Sequence, residues 1–188
     1  MERLSGIDAN FLYMETPAAH MHTIKVAVIE PAPGTVATLA SVKHALHERL
    51  HLLPQFRRRL VPVPLGLHHP VWIEDPAFDL DRHVLEHDLP APGGWREVED
   101  AVARIASSQL DRSRALWELW LLRGFAERGV VLVAKIHHAL ADGVAVAALL
   151  AGVMDDGDEP RRVPALDRPW APEPVPPRGR LLRDALLA

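Results

Sequence analysis

Two histidines stand side by side at His137-His138, and Asp142-Gly143 begins four residues after the second. Histidine's ordinary pKa lies near neutral pH, so a positioned neutral imidazole can take a proton from a hydroxyl. A base of that kind contributes about 10²–10⁴-fold in rate. Neighbouring residues on a strand point to opposite faces, so only one of the pair can face a given cleft while the other faces the packed side. Asp142 could cap a following helix, pair with an arginine, or hold an imidazole in one tautomer. Gly143 would let a ligand or backbone approach closely. The same spacing also suits a buried structural histidine pair with an Asp N-cap. A zinc site on His137, His138 and Asp142 is disfavoured, because adjacent strand histidines diverge and there is no cysteine to complete a set. We therefore expect no metal.

These residues need a rigid support. Val130 to Ala134 is short, apolar and β-branched, which predicts a buried strand. Val144 to Val153 is rich in Ala and Leu and predicts a helix starting just after Asp142. The histidines then lie where a strand ends and a turn begins, a common seat for chemistry. Trp117 to Phe125 and Val130 to His137 read as antiparallel neighbours joined through Ala126-Glu127-Arg128-Gly129. This hairpin is expected to deliver His138 to the sheet edge of a cleft.

Earlier in the chain, Ser5 followed by Asp8 has a capping shape and opens a short helix through Met14, with Ile7, Phe11, Leu12 and Met14 as its apolar face. His22 to Glu30 reads as a strand ended by Pro31-Ala32-Pro33-Gly34. Val36 to Leu53 reads as a helix with Val42, Leu46, Leu50 and Leu53 on one face, stopped by Pro54. Arg57-Arg58-Arg59 is the main basic cluster; it suits either phosphate contact or a solvated face. Val61 to Gly66 is broken by proline, and His69 to Asp75 reads as a strand. His68-His69 lacks a downstream Asp-Gly and reads as a loop feature. Phe78 to Leu89 reads as an extended connection, which argues against a zinc pair at His83 and His87. Trp95 to Leu110 reads as an amphipathic helix with acids toward its start.

The chain has 188 residues, a size that fits one domain, and a net charge of −4 that gives no reason to expect a nucleic-acid partner. The absence of cysteine rules out a disulfide framework and permits a reducing cytoplasm. Met1-Glu2-Arg3 leads into no apolar run long enough for a signal peptide, and no stretch approaches the ~20 apolar residues of a spanning helix. Pro160 to Arg178 is proline-rich and reads as an extended linker or crossover. Leu181, Leu182, Leu186 and Leu187 then begin a helix. This divides the chain into 1–159, 160–178 and 179–188, and the last piece is expected to lead into a further domain.

His137-His138-Ala139-Leu140-Ala141-Asp142-Gly143 matches the HHxxxDG signature of the acyltransferase superfamily that includes chloramphenicol acetyltransferase and the peptide-synthetase condensation domains. More closely, the chain resembles the N-terminal half of the bacterial wax ester synthase/diacylglycerol acyltransferase family. Leu4-Ser5-Gly6-Ile7-Asp8-Ala9-Asn10-Phe11-Leu12, Phe78-Asp79-Leu80-Asp81-Arg82-His83-Val84 and Leu110-Asp111-Arg112-Ser113-Arg114-Ala115-Leu116-Trp117-Glu118 carry the likeness in family order. One departure is Ala115-Leu116-Trp117, where the family usually has Pro-Leu-Trp.

The resemblance implies an α/β class in an α+β arrangement: a mixed sheet flanked by helices, as in one half of the chloramphenicol-acetyltransferase-like architecture. It implies O-acyl transfer from a long-chain acyl-CoA to diacylglycerol or a fatty alcohol. Acyl-CoA is then a co-substrate and there is no cofactor. His138 would be the general base, with His137 packed behind it. Asp142 would hold the loop through an arginine, and Gly143 would leave room for the thioester. The C-terminal half of the same protein, with an Asn-Asp motif, would supply the other wall of the cleft. A cytoplasmic site is implied, with peripheral contact to a membrane or lipid droplets left open. Two other readings remain: a condensation-type acyltransferase with a carrier-protein donor, and a non-catalytic half that binds lipid surfaces.

Overall fold

The computed structural model describes residues 1–31, 34–127, 129–140, 170–172 and 174–187. In chain order these hold β1 (Glu2–Arg3), α1 (Gly6–Met14), β2 (His22–Ile29), α2 (Leu39–Arg49), β3 (Arg58–Val61), β4 (Val71–Glu74), β5 (Val84–Asp88), α3 (Trp95–Ala106), β6 (Trp117–Arg123), β7 (Val130–His137) and α4 (Arg178–Leu186). The larger sheet has the order β2-β7-β6-β5, antiparallel except for β5, which runs parallel to β6. A smaller antiparallel sheet has the order β1-β4-β3. The expected mixed α/β architecture is present, with β-branched β7 at its centre.

The period-2 alternation of β7 fixes what each face packs against. Val131 and Val133, with Leu122 of β6, pack on Val98, Ala101 and Ile105 of α3. Ala134 and Ile136, with Trp117 of β6, pack on Leu50, Leu53 and Phe56, with Val42 and Leu46 of α2 half-buried alongside. Burying a side chain of this size contributes roughly 1.5–3 kcal/mol. The helix starts follow their capping residues. Ser5 Oγ accepts from Asp8 N–H, Thr38 and Ser41 cap each other, and Glu97 Oε2 accepts from Gly94 N–H.

Several expectations change. Strand β7 is interior, because β2 pairs along its full length on the side away from β6. His138 therefore follows an interior strand rather than sitting at the sheet edge. Helix α1 buries Ala9 and Leu12, while Ile7 and Met14 point outward. At ~100° per residue, Ile7 and Leu12 are too far apart around the helix to share a face. Helix α2 begins only at Leu39, and 3-10 turns at Leu50–Leu52 and Pro54–Arg57 follow it. The basic cluster runs into a strand, β3. Helix α3 stops at Ala106, where the Ser107 and Ser108 hydroxyls turn back to the carbonyls of Arg104 and Ile105.

The region from Phe78 to Leu89 is extended apart from one 3-10 turn and contains β5. Asp142, Gly143, the helix expected at Val144 to Val153 and most of the proline-rich stretch lie outside the described residues. The leucine-rich end forms α4, which folds back to bury Leu181 against Val61, Val71 and Ile73. No helix among the described residues is long and apolar enough to cross a membrane.

The facing of α1 can be tested by urea unfolding. Leu12→Ala should cost about 2–5 kcal/mol. Ile7→Ala, at a side chain 77% exposed, should stay within about 0.5 kcal/mol of the parent. Equal losses at the two positions would contradict the facing described.

Candidate active site

The ladder between β2 and β7 runs one bond past the named strands: His138 N–H donates to Met21 O at 2.9 Å. The main chain of His138 is thereby fixed while its side chain leaves the sheet. Alternation sends the two imidazoles apart. The His137 ring is fully buried, and His138 is half-buried, stacked on Phe11 of α1 with ring centroids 4.9 Å apart. His138 Nδ1 is shut off from solvent and has no hydrogen-bond partner among the described residues. If this ring moves a proton, Nε2 is the nitrogen left to do it.

His137 is held in one protonation state. Its Nδ1 accepts the Ala139 N–H at 3.0 Å, so in the neutral ring Nε2 carries the proton. That Nε2 lies 3.6 Å from Glu15 Oε2. Burial pushes the His137 pKa down to about 4, outweighing the pull of Glu15 toward the charged form. Glu15 is itself almost wholly buried. Arg112 donates to its Oε2 from Nη2 at 2.7 Å and from Nε at 3.1 Å, and Met21 N–H donates to its Oε1 at 3.2 Å. Burial alone would raise its pKa; the hydrogen bond from Arg112 and its other partners outweigh that and hold the carboxyl below its ordinary range.

A second polar layer lies beneath. Lys135, on the same face of β7 as His137, is fully buried and donates to Ser108 O at 2.6 Å and Ser108 Oγ at 2.8 Å. Burial lowers its pKa. His22 and His20 donate from Nε2 to the carbonyls of Ala106 and Ser107. Three basic side chains thus meet the carbonyls at and just beyond the end of α3, a placement the helix dipole favours.

The other polar clusters are engaged within the fold. Arg58 pairs with Glu2, Arg59 pairs with Asp75, and Arg57 lies over the Trp170 ring. His83 is buried between Phe78 and Trp117 and donates from Nδ1 to Trp117 O, while His87 accepts from Arg104. An apolar groove of about 490 Å³ opens between α2 and the sheet, lined in part by Ala27, Val42, Leu46, Leu132 and Ala134. Buried Ile136 and Trp117 pack beyond Ala134 on that face, between the groove and the His138 end of β7.

Sequence reasoning missed Glu15, the role of Arg112, and Phe11 as a partner of His138. Phe11 and Arg112 lie in stretches already singled out by resemblance, but only three dimensions show what they touch.

A family profile described as the wax ester synthase/diacylglycerol acyltransferase catalytic domain matches residues 4–187. The chain belongs to this family. Two relatives in Mycobacterium tuberculosis illustrate the likeness. One, named "Putative diacyglycerol O-acyltransferase", is 43% identical over 187 residues, covering 99% of this chain and 39% of that protein. The other, named "Probable diacyglycerol O-acyltransferase", is 35% identical over 185 residues, covering 98% of this chain and 67% of that protein. The wax ester synthase/diacylglycerol acyltransferase of Marinobacter aquaeolei VT8 matches with TM-score 0.75 and 29% identity, covering 87% of this chain and 39% of that one. The starter condensation domain of rhizomide synthetase matches at TM-score 0.60 and 19% identity, which speaks for the fold alone. The chain thus spans about 39% of the length of the first of these relatives.

The family chain's neutral His137 carries a pH signature. Its pKa is lowered from 6.5 to about 4, so between those values the unfolded chain binds a proton that the folded chain refuses. Stability therefore falls as pH drops through that window. Glu15, with its pKa lowered, gives up its own contribution only below its ordinary range, under the upper part of the window. In urea unfolding, moving from about pH 7 to about pH 5 should cost the parent up to about 2 kcal/mol more than His137→Gln. Equal losses would mean that His137 charges in the folded state.

Proposed function

We propose that the full-length protein moves a long-chain acyl group from acyl-CoA to the hydroxyl of diacylglycerol or a fatty alcohol, with His138 as general base. Family membership supports the reaction class. The observation that carries the residue assignment is the split between the two rings: His137 is buried and kept neutral, while His138 is half-buried at the end of an interior strand with its main chain fixed.

In this reading His138 Nε2 takes the proton of the acceptor hydroxyl as its oxygen attacks the thioester carbonyl. The tetrahedral intermediate then collapses, the C–S bond breaks, and the imidazolium returns the proton to the departing CoA thiolate. The products are an ester and free CoA, and the step needs no cofactor. His137 packs behind the base. Asp142 holds the turn through an arginine, and Gly143 leaves space for the thioester. The C-terminal half closes the other side of the cleft. The protein works in the cytoplasm, meeting its lipid acceptor at a membrane or droplet surface.

The test uses the full-length protein with palmitoyl-CoA and either hexadecanol or dipalmitoylglycerol, following thiol release. His138→Ala should fold normally and lose at least about 10²-fold in rate. Turnover retained by a folded His138→Ala variant would remove the general-base assignment. An acyl-carrier protein accepted in place of palmitoyl-CoA would replace the donor.

A further inference from the structure

A general base works only if its ring is held where the hydroxyl arrives. Stacking on Phe11 and one main-chain bond fix His138 itself, and both trace back to Glu15, the residue that caps the C-terminus of α1. We propose that Glu15 is a positioning residue for the His138 base. The inference rests on the reading of His138 given above.

One carboxylate reaches both sides of the base. Through Oε1 it accepts the N–H of Met21, and the carbonyl of that same residue accepts the N–H of His138. Through Oε2 it faces the protonated Nε2 of His137 at 3.6 Å. His137 in turn takes the Ala139 N–H on Nδ1, and its main-chain carbonyl takes the Leu140 N–H. The residues before and after His138 are thereby tied to one imidazole, and that imidazole faces one carboxylate. Helix α1, which carries Phe11, ends at Met14 with Glu15 as its C-cap, so the same anchor sets the ring on which His138 stacks. Arg112 completes the clamp, donating from Nη2 both to Glu15 and to Leu12 O at 2.7 Å.

Stability alone is a weak reason for this arrangement. A carboxylate with 1% of its side chain exposed bears a desolvation cost that an apolar contact would not. The eight paired positions of β2 and β7 already hold the strands together. The carboxylate acts only at their last turn, where the base leaves the sheet. Outer partners that orient a metal-ligating imidazole are worth about 10–100-fold when removed, and orienting a proton-moving one is expected to be worth a similar factor.

The test compares variants of the full-length protein with palmitoyl-CoA and hexadecanol. Glu15→Gln keeps the shape and removes the charge. It should fold, with kcat lower by about 10–100-fold and KM for palmitoyl-CoA within about twofold. Nitrogen-15 NMR of labelled histidine should show the His138 ring signals shifted or broadened, with His137 still in the Nε2–H tautomer that the Ala139 N–H sets. Arg112→Lys keeps a cation but not the fork, and should lose kcat in the same direction by a smaller factor. If Glu15→Gln does not fold, Arg112→Lys carries the test alone. A folded variant with parental kcat, or a loss of rate no larger than the unfolded fraction, overturns the positioning role. Inactive His138→Ala beside fully active Glu15→Gln removes this inference only, whereas active His138→Ala removes the reading beneath it.

Discussion

A fully buried imidazole at the end of an interior strand is expensive to charge, and much of the local architecture answers that constraint. His137 cannot be solvated, so it stays neutral and spends Nδ1 on the Ala139 N–H. Its other nitrogen then faces a carboxylate, which is itself buried and so requires Arg112. Arg112 must come from the segment before β6, and it also grips the last turn of α1. Three parts of the chain distant in sequence are thus brought together by one group that water does not reach. The hydrogen bonds of the network are concentrated on Glu15 and on His137 Nδ1, while His137 Nε2 faces the carboxylate at 3.6 Å without a hydrogen bond among the described residues.

Lys135 extends the same logic along the strand. It is fully buried, and Ser108 at the frayed end of α3 takes it up. His20 and His22 meet the neighbouring carbonyls, so α3 is fastened to the β2–β7 pair by one lysine and two histidines as well as by its apolar stripe. The sheet face toward α3 is therefore polar at the histidine end and apolar at the other. The face toward α2 is apolar almost throughout. One strand carries both patterns because side chains alternate between the faces.

Legibility from sequence follows from how local each signal is. The bounds of β7 and its pairing with β6 could be read because a β-branched run and a short link are both local. The divergence of His137 and His138 follows from alternation alone. The facing of α1 could not be read: in a nine-residue helix, apolar residues lie on more than one side, and only the neighbours decide which stripe is buried. The position of β7 inside the sheet depended on β2, whose pairing is remote in sequence. Glu15 carried no pattern at all, being a lone acid after a short helix. Arg57, Arg58 and Arg59 left phosphate contact and a solvated face both open, because sequence shows a charge cluster but not Glu2, Asp75 and Trp170 beside it.

The route to His138 follows from the same packing. The α2-side face of β7 carries an open groove, but Ile136 and Trp117 fill that face between Ala134 and the end of the strand. A chain lying in the groove is cut off from the imidazole by core side chains. Substrate approaching along the described part of the sheet would have to displace residues that are almost fully buried, at a cost of several kcal/mol. At the end of β7 the described neighbour flanking the ring is Phe11. The clamp made by Glu15 and Arg112 lies at that same end, so Phe11 of α1 and Glu15 at its C-terminus, with Arg112 from the segment before β6, together surround the His138 end of the strand.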